Sequence, residues 1–291
     1  MASGPGPARR DFLIGSACAL ACASSAARAG EQSAVDALEA EVGGRIGLAA
    51  IDTRNGRRLT HRADERFAMC STFKWTLGAA VLARHDQKPG ILAQRLTYGA
   101  RDLVHYSPVT EVHVKEGSLG VAELCEAAVE VSDNTAANLL LKLIGGPAAL
   151  TRYLRSIGDM TTRLDQNEPA LNTGIPGDPR DTTTPAAMLS TMQRILLGNA
   201  LSPASRELLL GWLKGSQTGL ARLRAGLPDG WEVGDKTGTG DNGAANDVAI
   251  AWPPQRAPIL IAAYLSDSRS SAEALNGAHA RLGGIVSAAF C

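Results

Sequence analysis

The chain has 291 residues and no net formal charge, with 45% hydrophobic and 20% charged residues. This is the composition of a globular protein, long enough for one large domain or two lobes that share a core, and it excludes wholesale disorder. Residues 30–291 carry 26 basic and 28 acidic residues. A charge so close to balance gives no electrostatic basis for binding nucleic acid or an anionic membrane.

Residues 1–29 have the pattern of an export signal. The pair Arg9–Arg10 precedes a short apolar run over residues 12–23, and a small-x-small cleavage site ends at Ala29. The run is too short to span a bilayer. A lipoprotein signal ending at Cys22 is the weaker alternative, because Ala19 stands where leucine is usual. We predict an exported protein, periplasmic if the source is Gram-negative and otherwise secreted, with no stable membrane association after cleavage.

Three cysteines follow the predicted signal: Cys70, Cys125 and Cys291. Their number is odd and their spacing is not that of a metal site. We predict that Cys70 and Cys125 are small buried apolar side chains. No disulfide framework follows from the sequence.

The N-terminal part of the remaining chain predicts a helix and then a hairpin. Val35, Leu38 and Val42 recur at helical spacing over residues 31–42. The runs 45–52 and 57–61 then flank an Asn-Gly pair, which is typical of a β-hairpin turn.

The next stretch predicts a helix that begins at Ser71 and is apolar nearly all round, as buried helices are. Ser71 and Lys74 are spaced i and i+3, so they share one helix face. Burial and the positive helix end both lower the pKa of such a lysine. A neutral amine beside a serine hydroxyl can make that serine a nucleophile. Alone, however, this spacing also occurs by chance.

The middle of the chain predicts mostly helices. They cover residues 118–131, with Ser118 as the cap, and residues 136–144 and 147–157, and two more begin at Thr184–Pro185 and Ser202–Pro203. Residues 163–181 are rich in proline and glycine and have no apolar period, which indicates a long functional loop.

After Gly230 the pattern changes to strands over residues 231–236, 248–252 and 259–265, followed by a helix over 272–290. Strands at both ends with helices between them predict an α+β fold. Residues 30–63 and 212–291 would form a discontinuous α/β lobe, with an antiparallel sheet flanked by the N- and C-terminal helices. Residues 64–211 would form an all-helical lobe that includes the loop 163–181, and the active site would lie between the lobes.

Four short motifs stand in one order along the chain: Ser71-Thr-Phe-Lys74, Ser132-Asp-Asn134, Glu168-Pro-Ala-Leu-Asn172 and Lys236-Thr-Gly238. Together they resemble the class A serine β-lactamases, which carry S-x-x-K, S-D-N and K-T-G. The resemblance extends from Glu31 to the C-terminal helix. It implies hydrolysis of β-lactam antibiotics by a monomer, without metal or organic cofactor, and small-molecule β-lactams as partners.

The resemblance implies catalytic roles for Ser71, Lys74, Ser132, Glu168 and Lys236. Ser71 would attack the lactam carbonyl, and its proton would pass to Lys74 or, through a water, to Glu168; both routes stay open. Ser132 would relay a proton to the leaving nitrogen. Glu168 would activate the water that hydrolyses the acyl-enzyme.

The candidates for substrate binding are Tyr106, Asn134, Asn172, Arg222, Thr237, Gly238 and Thr239. Tyr106 would form a wall of the site, and the backbone N–H of Thr239 would complete an oxyanion hole with that of Ser71. Some members of the family bind the substrate carboxylate with a cation just beyond residue 240, where this chain has Ala244 and Ala245. We therefore assign the carboxylate to Arg222, with the hydroxyls of Thr237 and Thr239.

Simpler interpretations exist for each motif. Ser132-Asp-Asn134 is also a common capping and turn sequence, and Glu168, Lys236 and Arg222 could be solvated surface charges. Two related classes share Ser71 and its lysines: D-Ala-D-Ala peptidases, and β-lactam sensors that stay acylated. The Glu168 loop argues against both, because the peptidases ordinarily lack it and a sensor gains nothing from a base for deacylation.

Two positions depart from the family pattern. Gly240 cannot form the disulfide with Cys70 that some carbapenem-hydrolysing members have. Gln166 replaces an arginine that commonly pairs with Asp181 at the neck of the loop. Because an acid would lose its cation, we expect a looser loop that admits bulky oxyimino-cephalosporins better.

Overall fold

The computed structural model describes Met1 and residues 30–291. The export signal predicted over residues 1–29 therefore falls, apart from Met1, outside the described residues. The described part has the predicted α+β character, with an antiparallel sheet and helices packed against it.

Five strands form one antiparallel sheet in the order β2-β1-β9-β8-β7. They are β1 (Arg45–Asp52), β2 (Arg58–His61), β7 (Glu232–Thr239), β8 (Ala245–Trp252) and β9 (Ile259–Ser266). Two short antiparallel pairs lie elsewhere: β3 (Phe67–Ala68) with β6 (Thr182–Thr183), and β4 (Arg95–Thr97) with β5 (Ser118–Gly120). β1 pairs with β9 along its whole length, so one sheet joins the two ends of the described chain.

The helices are α1 (30–42), α2 (Phe73–Gln87), α3 (Val121–Glu130), α4 (Asn134–Ile144), α5 (Pro147–Ser156), α6 (Pro185–Met192), α7 (Pro203–Lys214), α8 (Leu223–Gly226) and α9 (Ala272–Phe290). Alternate residues of a strand face opposite sides of a sheet. One side of this sheet packs on α1 and α9 through an apolar cluster that includes Val35, Ile261 and Leu282. The other side packs on the helices of the middle of the chain through Val248, Ile250 and their neighbours.

α2 is the central helix of that second cluster, as its apolar sequence predicted. All residues from Phe73 to Leu82 are buried, Lys74 among them. Burial of the apolar side chains removes their surface from water, which is the main favourable term in folding. Lys74 is held inside by polar partners, because a buried ammonium without them would be costly.

The structure corrects two predicted helix starts. Ser71 lies in a 3₁₀ turn, Cys70–Thr72, and α2 begins only at Phe73. Ser118 does not cap α3: it lies on β5, and the helix begins at Val121. The cap is Gly120, because the carboxylate of Glu123 accepts its backbone N–H at 2.7 Å.

Several other predicted boundaries are confirmed. The hydroxyls of Thr184 and Ser202 cap α6 and α7, with proline as the next residue in each case.

One predicted strand end is wrong. The strand predicted to end at Lys236 continues to Thr239, since Gly238 and Thr239 pair with Asn246 and Ala245 of β8.

Candidate active site

A cleft of about 660 Å³ opens beside β7, the 3₁₀ turn at Ser71 and the start of α4. Nine of the twelve predicted site residues line it, namely Ser71, Tyr106, Ser132, Asn134, Asn172, Arg222, Thr237, Gly238 and Thr239. Lys74, Glu168 and Lys236 are buried, at 0%, 4% and 0% exposure, and each contacts a residue of the lining. The structure therefore brings the four motifs to one place.

Glu168 contacts both members of the first motif through one oxygen. The hydroxyl of Ser71 donates to Glu168 Oε1 at 3.2 Å, and Lys74 Nζ lies 3.1 Å from the same oxygen. Lys74 also donates to the backbone oxygen of Ser132 at 2.8 Å and to Asn134 Oδ1. Burial lowers the pKa of Lys74, while the charge of Glu168 opposes that shift. Three groups that can exchange a proton thus lie within hydrogen-bonding distance.

Ser132 lies between the two buried lysines. Its hydroxyl oxygen is 3.3 Å from Lys74 Nζ and 3.0 Å from Lys236 Nζ. Its φ of +63° is a left-handed conformation that is unfavourable for serine, and such strain is often retained at functional sites. Burial and then the charge of Lys74 lower the pKa of Lys236 well below its ordinary range.

Asp133, in the middle of the second motif, joins α4 to the segment before α3. Its buried carboxylate caps α4 by accepting the backbone N–H of Ala136 at 2.8 Å. It also accepts the N–H groups of Val109 and Thr110 and the hydroxyl of Thr110, all at 2.9 Å. The capping interpretation of this motif is therefore correct for Asp133, and it fixes the positions of Ser132 and Asn134 on either side.

Glu168 is held in place by residues of two elements. Asn138 on α4 donates to the backbone oxygen of Glu168 at 2.9 Å and accepts its N–H at 3.0 Å. Asn172 Nδ2 donates to Glu168 Oε2 at 2.5 Å. Asn172 Oδ1 is buried and has no hydrogen-bond partner among the described residues. The sequence interpretation missed Asn138, although its position four residues after Asn134 places both on one helix face.

β7 passes so close to the Ser71 turn that Gly238 cannot carry a side chain. A Cβ atom there would lie 2.6 Å from the backbone oxygen of Met69 and 3.1 Å from the backbone nitrogen of Ser71. Asn246 of β8 fixes the same turn, because its Nδ2 donates to the oxygens of Ala68 and Met69 at 2.9 and 3.1 Å. The next residue of β7, Thr239, also lines the cleft.

Arg222 lies under β7 and is 8% exposed. It donates to the hydroxyl of Thr239 at 2.7 Å, to two backbone oxygens of the sheet and, at 2.9 Å, to Asn276 Oδ1. Burial lowers its pKa, but the ordinary pKa of an arginine is so high that the side chain remains a cation at neutral pH. Thr218 was also missed: its hydroxyl bonds that of Thr237 at 2.6 Å. Nothing in the sequence near either motif indicates Thr218 or Asn276.

Comparisons with known proteins agree with this geometry. The profile of the Beta-lactamase enzyme family matches residues 31–290. β-Lactamase CTX-M-8 of Citrobacter amalonaticus is 50% identical over 242 residues, which are 83% of each chain. β-Lactamase AST-1 of Nocardia asteroides is 52% identical over 236 residues, 81% of this chain and 76% of its own. The solved structure of an ancestral (GNCA) class A β-lactamase superposes with a TM-score of 0.88 at 59% identity, covering 89% of this chain and 100% of the other.

The chain belongs to the class A serine β-lactamases. The enzyme hydrolyses β-lactam antibiotics through a serine acyl-enzyme, an activity that confers resistance to them. Because the chain belongs to this family, the two alternative interpretations, a D-Ala-D-Ala peptidase and a β-lactam sensor, are excluded. No helix in the described part of the β-lactamase is long and apolar enough to cross a bilayer.

Tyr106 and Asn134 form the wall of the β-lactamase cleft opposite β7. Tyr106 is 51% exposed and has a φ of +62°. Its backbone oxygen accepts the N–H of Asn134 at 3.0 Å, and Asn134 Nδ2 donates to the backbone oxygen of His105 at 2.8 Å. The wall is therefore attached directly to the start of α4.

The cysteines agree with the sequence prediction. Cys70 and Cys125 are buried free thiols, and Cys291 is free and exposed. Burial raises the pKa of Cys70 to about 12, so its thiol is unreactive at neutral pH. A Cβ at Gly240 would lie 2.7 Å from Cys70 Sγ, which shows how closely the two residues pack without a disulfide.

The expected loosening of the loop by Gln166 assumed that Asp181 lacks a partner, and that assumption is wrong. The carboxylate of Asp181 accepts the backbone N–H groups of Asp165 and Gln166 at 2.7 and 3.0 Å and Gln166 Nε2 at 2.8 Å. In return, Asp181 donates its own N–H to Asp165 at 3.1 Å. Amide donors have replaced the cation, so the neck of the loop is closed and its buried acid is satisfied.

We therefore expect Gln166→Arg to leave kcat/KM for a large oxyimino-cephalosporin within roughly twofold of wild type, as for a substitution worth about 0.5 kcal/mol. Gln166→Ala is the matched variant, since it removes the Nε2 donor and leaves both backbone donors. Steady-state kinetics of the two variants with one large and one small substrate test this. A severalfold fall in kcat/KM for the large substrate, seen in Gln166→Arg and not in Gln166→Ala, would support the original expectation that Gln166 loosens the loop.

Proposed function

We propose that Ser71 is the nucleophile of this β-lactamase and that Glu168 is its deacylating base. The observation that carries the proposal is the shared contact of Glu168 Oε1 with Ser71 Oγ and Lys74 Nζ, at 3.2 and 3.1 Å. A serine becomes a nucleophile when a neighbouring base can take its proton. Here two candidate bases contact the hydroxyl or its partner, and either route leads to the same acyl-enzyme.

In acylation, Ser71 Oγ bonds to the lactam carbonyl carbon while its proton passes to Lys74 or Glu168. The backbone N–H groups of Ser71 and Thr239 stabilise the oxyanion. The lactam C–N bond then breaks, and Ser132 donates its proton to the leaving nitrogen. Ser132 recovers a proton from Lys74, because its oxygen lies 3.3 Å from Lys74 Nζ. Where Glu168 took the proton of Ser71, it passes that proton on to Lys74, 3.1 Å away, and is again a carboxylate.

In deacylation, Glu168 takes a proton from a water that attacks the ester carbonyl. The ester bond breaks, and the proton that Glu168 took from the water passes to Ser71 Oγ, which lies 3.2 Å from Glu168 Oε1. Asn172 orients this water through Oδ1, a buried acceptor without a hydrogen-bond partner among the described residues. Asn138 holds the backbone of Glu168 from the other side.

The remaining residues bind the substrate. Lys236, Arg222 and the hydroxyls of Thr237 and Thr239 attract its carboxylate. Arg222 lines the cleft and donates to the backbone oxygen of Gly238, and Lys236, on β7, donates to that of Thr237. Asn134 binds the side-chain amide, Gly238 lines the cleft where β7 lies against the Ser71 turn, and Tyr106 covers the opposite wall.

Our proposal extends to the whole protein. Residues 30–63 with 212–291 form one lobe and residues 64–211 the other; the apolar cluster between the sheet, α1 and α9 comes wholly from the first of these. The protein is exported through the twin-arginine signal of residues 1–29, to the periplasm if its source is Gram-negative. A monomer suffices for this activity, because the proposed catalytic residues contact one another within one chain.

Replacing Ser71 by alanine tests the nucleophile. We expect kcat/KM for a chromogenic cephalosporin to fall by at least about 10⁴-fold, as when a catalytic serine is removed from other serine hydrolases. Ser156→Ala is the control, since Ser156 is an exposed serine at the end of α5. Appreciable turnover by Ser71→Ala in a folded protein would assign the nucleophile to another residue.

The lowered pKa of Lys236 predicts an alkaline limit to activity. As pH rises through that pKa, the ammonium loses its proton and the substrate carboxylate loses a charged partner. We therefore expect kcat/KM to decrease at a pH below about 10.4, the ordinary pKa of lysine. Lys236→Arg keeps its charge to a higher pH. Its pH profile should therefore lack this alkaline fall. An identical alkaline limb in both proteins would contradict the assignment.

A further inference from the structure

The turn between β7 and β8 is bound to the loop that carries Glu168. The backbone N–H of Asp241 donates to the oxygen of Asn172 at 2.8 Å. Asn242 Nδ2 donates to the oxygen of Thr173 at 2.9 Å and lies 3.4 Å from that of Gly174. These bonds hold the segment of residues 172–174, which we call the loop limb, against the end of the sheet.

The turn is itself firmly anchored, so it can act as a fixed point for the limb. Asn242 accepts the N–H of Asp267, just beyond the end of β9, at 2.7 Å, and Gly240 donates to the oxygen of Ala244 at 3.0 Å. Asn242 has a φ of +53°, a left-handed conformation that asparagine adopts more readily than most residues. The turn conformation aims its amide at the limb.

The limb separates two spaces. On one side is the catalytic cleft, which Asn172 and Thr173 line. On the other side is a cavity of about 460 Å³, bounded by residues 173–182 of the loop and, across from them, by Ala244, Ser266 and Asp267. The limb therefore has free volume behind it.

We propose that Asn242 is a specificity-determining residue: its amide latches the loop limb and sets how far the limb yields to a bulky acylamino side chain of the substrate. With the latch closed, Asn172 keeps the position from which it orients Glu168, which favours deacylation of compact substrates. With the latch open, the limb retreats into the cavity behind it, and the cleft widens at the expense of that orientation. This inference rests on the proposed roles of Glu168 and Asn172.

Two substitutions remove the amide that forms the latch and tolerate the positive φ of residue 242. Asn242→Gly removes the amide, and Asn242→Asp keeps its size but places a carboxylate against two carbonyl oxygens. The control is Gln255→Gly: Gln255 is exposed, has a φ of +58° and lies in the turn between β8 and β9. It reproduces the backbone effect of a glycine at positive φ without contact with the loop.

The measurement is kcat and KM for a small penicillin and for a bulky oxyimino-cephalosporin. We expect both Asn242 variants to raise kcat/KM for the cephalosporin and to lower kcat for the penicillin, each by about three- to tenfold, the effect of one or two hydrogen bonds. Gln255→Gly should change neither. A merely structural role would lower both activities together with the melting temperature.

An unchanged ratio of the two activities in both variants, or a parallel loss for both substrates, would overturn the latch. If Asn242→Gly does not fold, the outcome for Asn242→Asp decides alone, because it keeps the shape of the side chain. A separate assay of penicillin turnover by Glu168→Gln tests the underlying roles. Full turnover there would refute the proposed function without bearing on the measured ratio.

Discussion

Glu168→Gln should still acylate, with Lys74 as the remaining base for Ser71, and should then remain acylated. Glutamine keeps the size of the side chain and can still bond Asn172 and Ser71, but it cannot take a proton from water. General-base catalysis contributes about 10²–10⁴-fold, so we expect the deacylation rate to fall by that factor. Rapid mixing with a chromogenic cephalosporin should give one stoichiometric burst followed by very slow turnover.

Asp178→Asn is the matched control for this prediction. Asp178 lies in the same loop but bonds Arg180 at its exposed surface, away from Ser71. Its loss should leave the deacylation rate unchanged. A burst in both variants would mean that any disturbance of the loop slows deacylation, and Glu168 would lose its assigned role as base.

Asp133→Ala should produce the largest loss of stability among substitutions around the cleft. It removes the acceptor of four donors, in Val109, Thr110 and Ala136, and leaves them buried. A buried unsatisfied polar group costs about 1–3 kcal/mol, so we expect the free energy of unfolding to fall by about 3 kcal/mol or more. Urea denaturation measures this directly.

Two variants make the stability result specific. Asp133→Asn keeps one acceptor oxygen, so its loss should be clearly smaller than that of the alanine variant. Asp64→Ala removes an exposed carboxylate outside the cleft lining and should change stability by no more than about 0.5 kcal/mol. A change of that small size for Asp133→Ala as well would show that the segment before α3 does not depend on this carboxylate.

The sequence predicted the parts of the site whose chemistry is local. Ser71 and Lys74 are three residues apart, which is about one helical turn, and Ser132, Glu168 and Lys236 each lie in a short motif. The spacing within each motif therefore indicated which side chains belong to the site. The fold class followed from the hydrophobic pattern, because α2 is apolar nearly all round and β9 is a short continuous apolar run, as elements buried on every side are.

The sequence alone did not predict side-chain contacts between residues that are far apart in the chain. Asn276 reaches Arg222 across 54 residues, and Asn246 reaches Met69 across 177. A single asparagine has no periodicity to reveal its partner. The same limit explains the error over Gln166: the sequence showed that a cation was missing, but only the structure showed that three amides bond Asp181.

The most direct test of the account is to localise the covalent intermediate. Wild type and Glu168→Gln are mixed with a cephalosporin, quenched in acid at successive times, digested and analysed by mass spectrometry. The account predicts an acyl adduct on the peptide that contains Ser71, short-lived in wild type during sustained turnover and persistent in Glu168→Gln. An adduct on another residue, or rapid turnover by Glu168→Gln without any adduct, would contradict it.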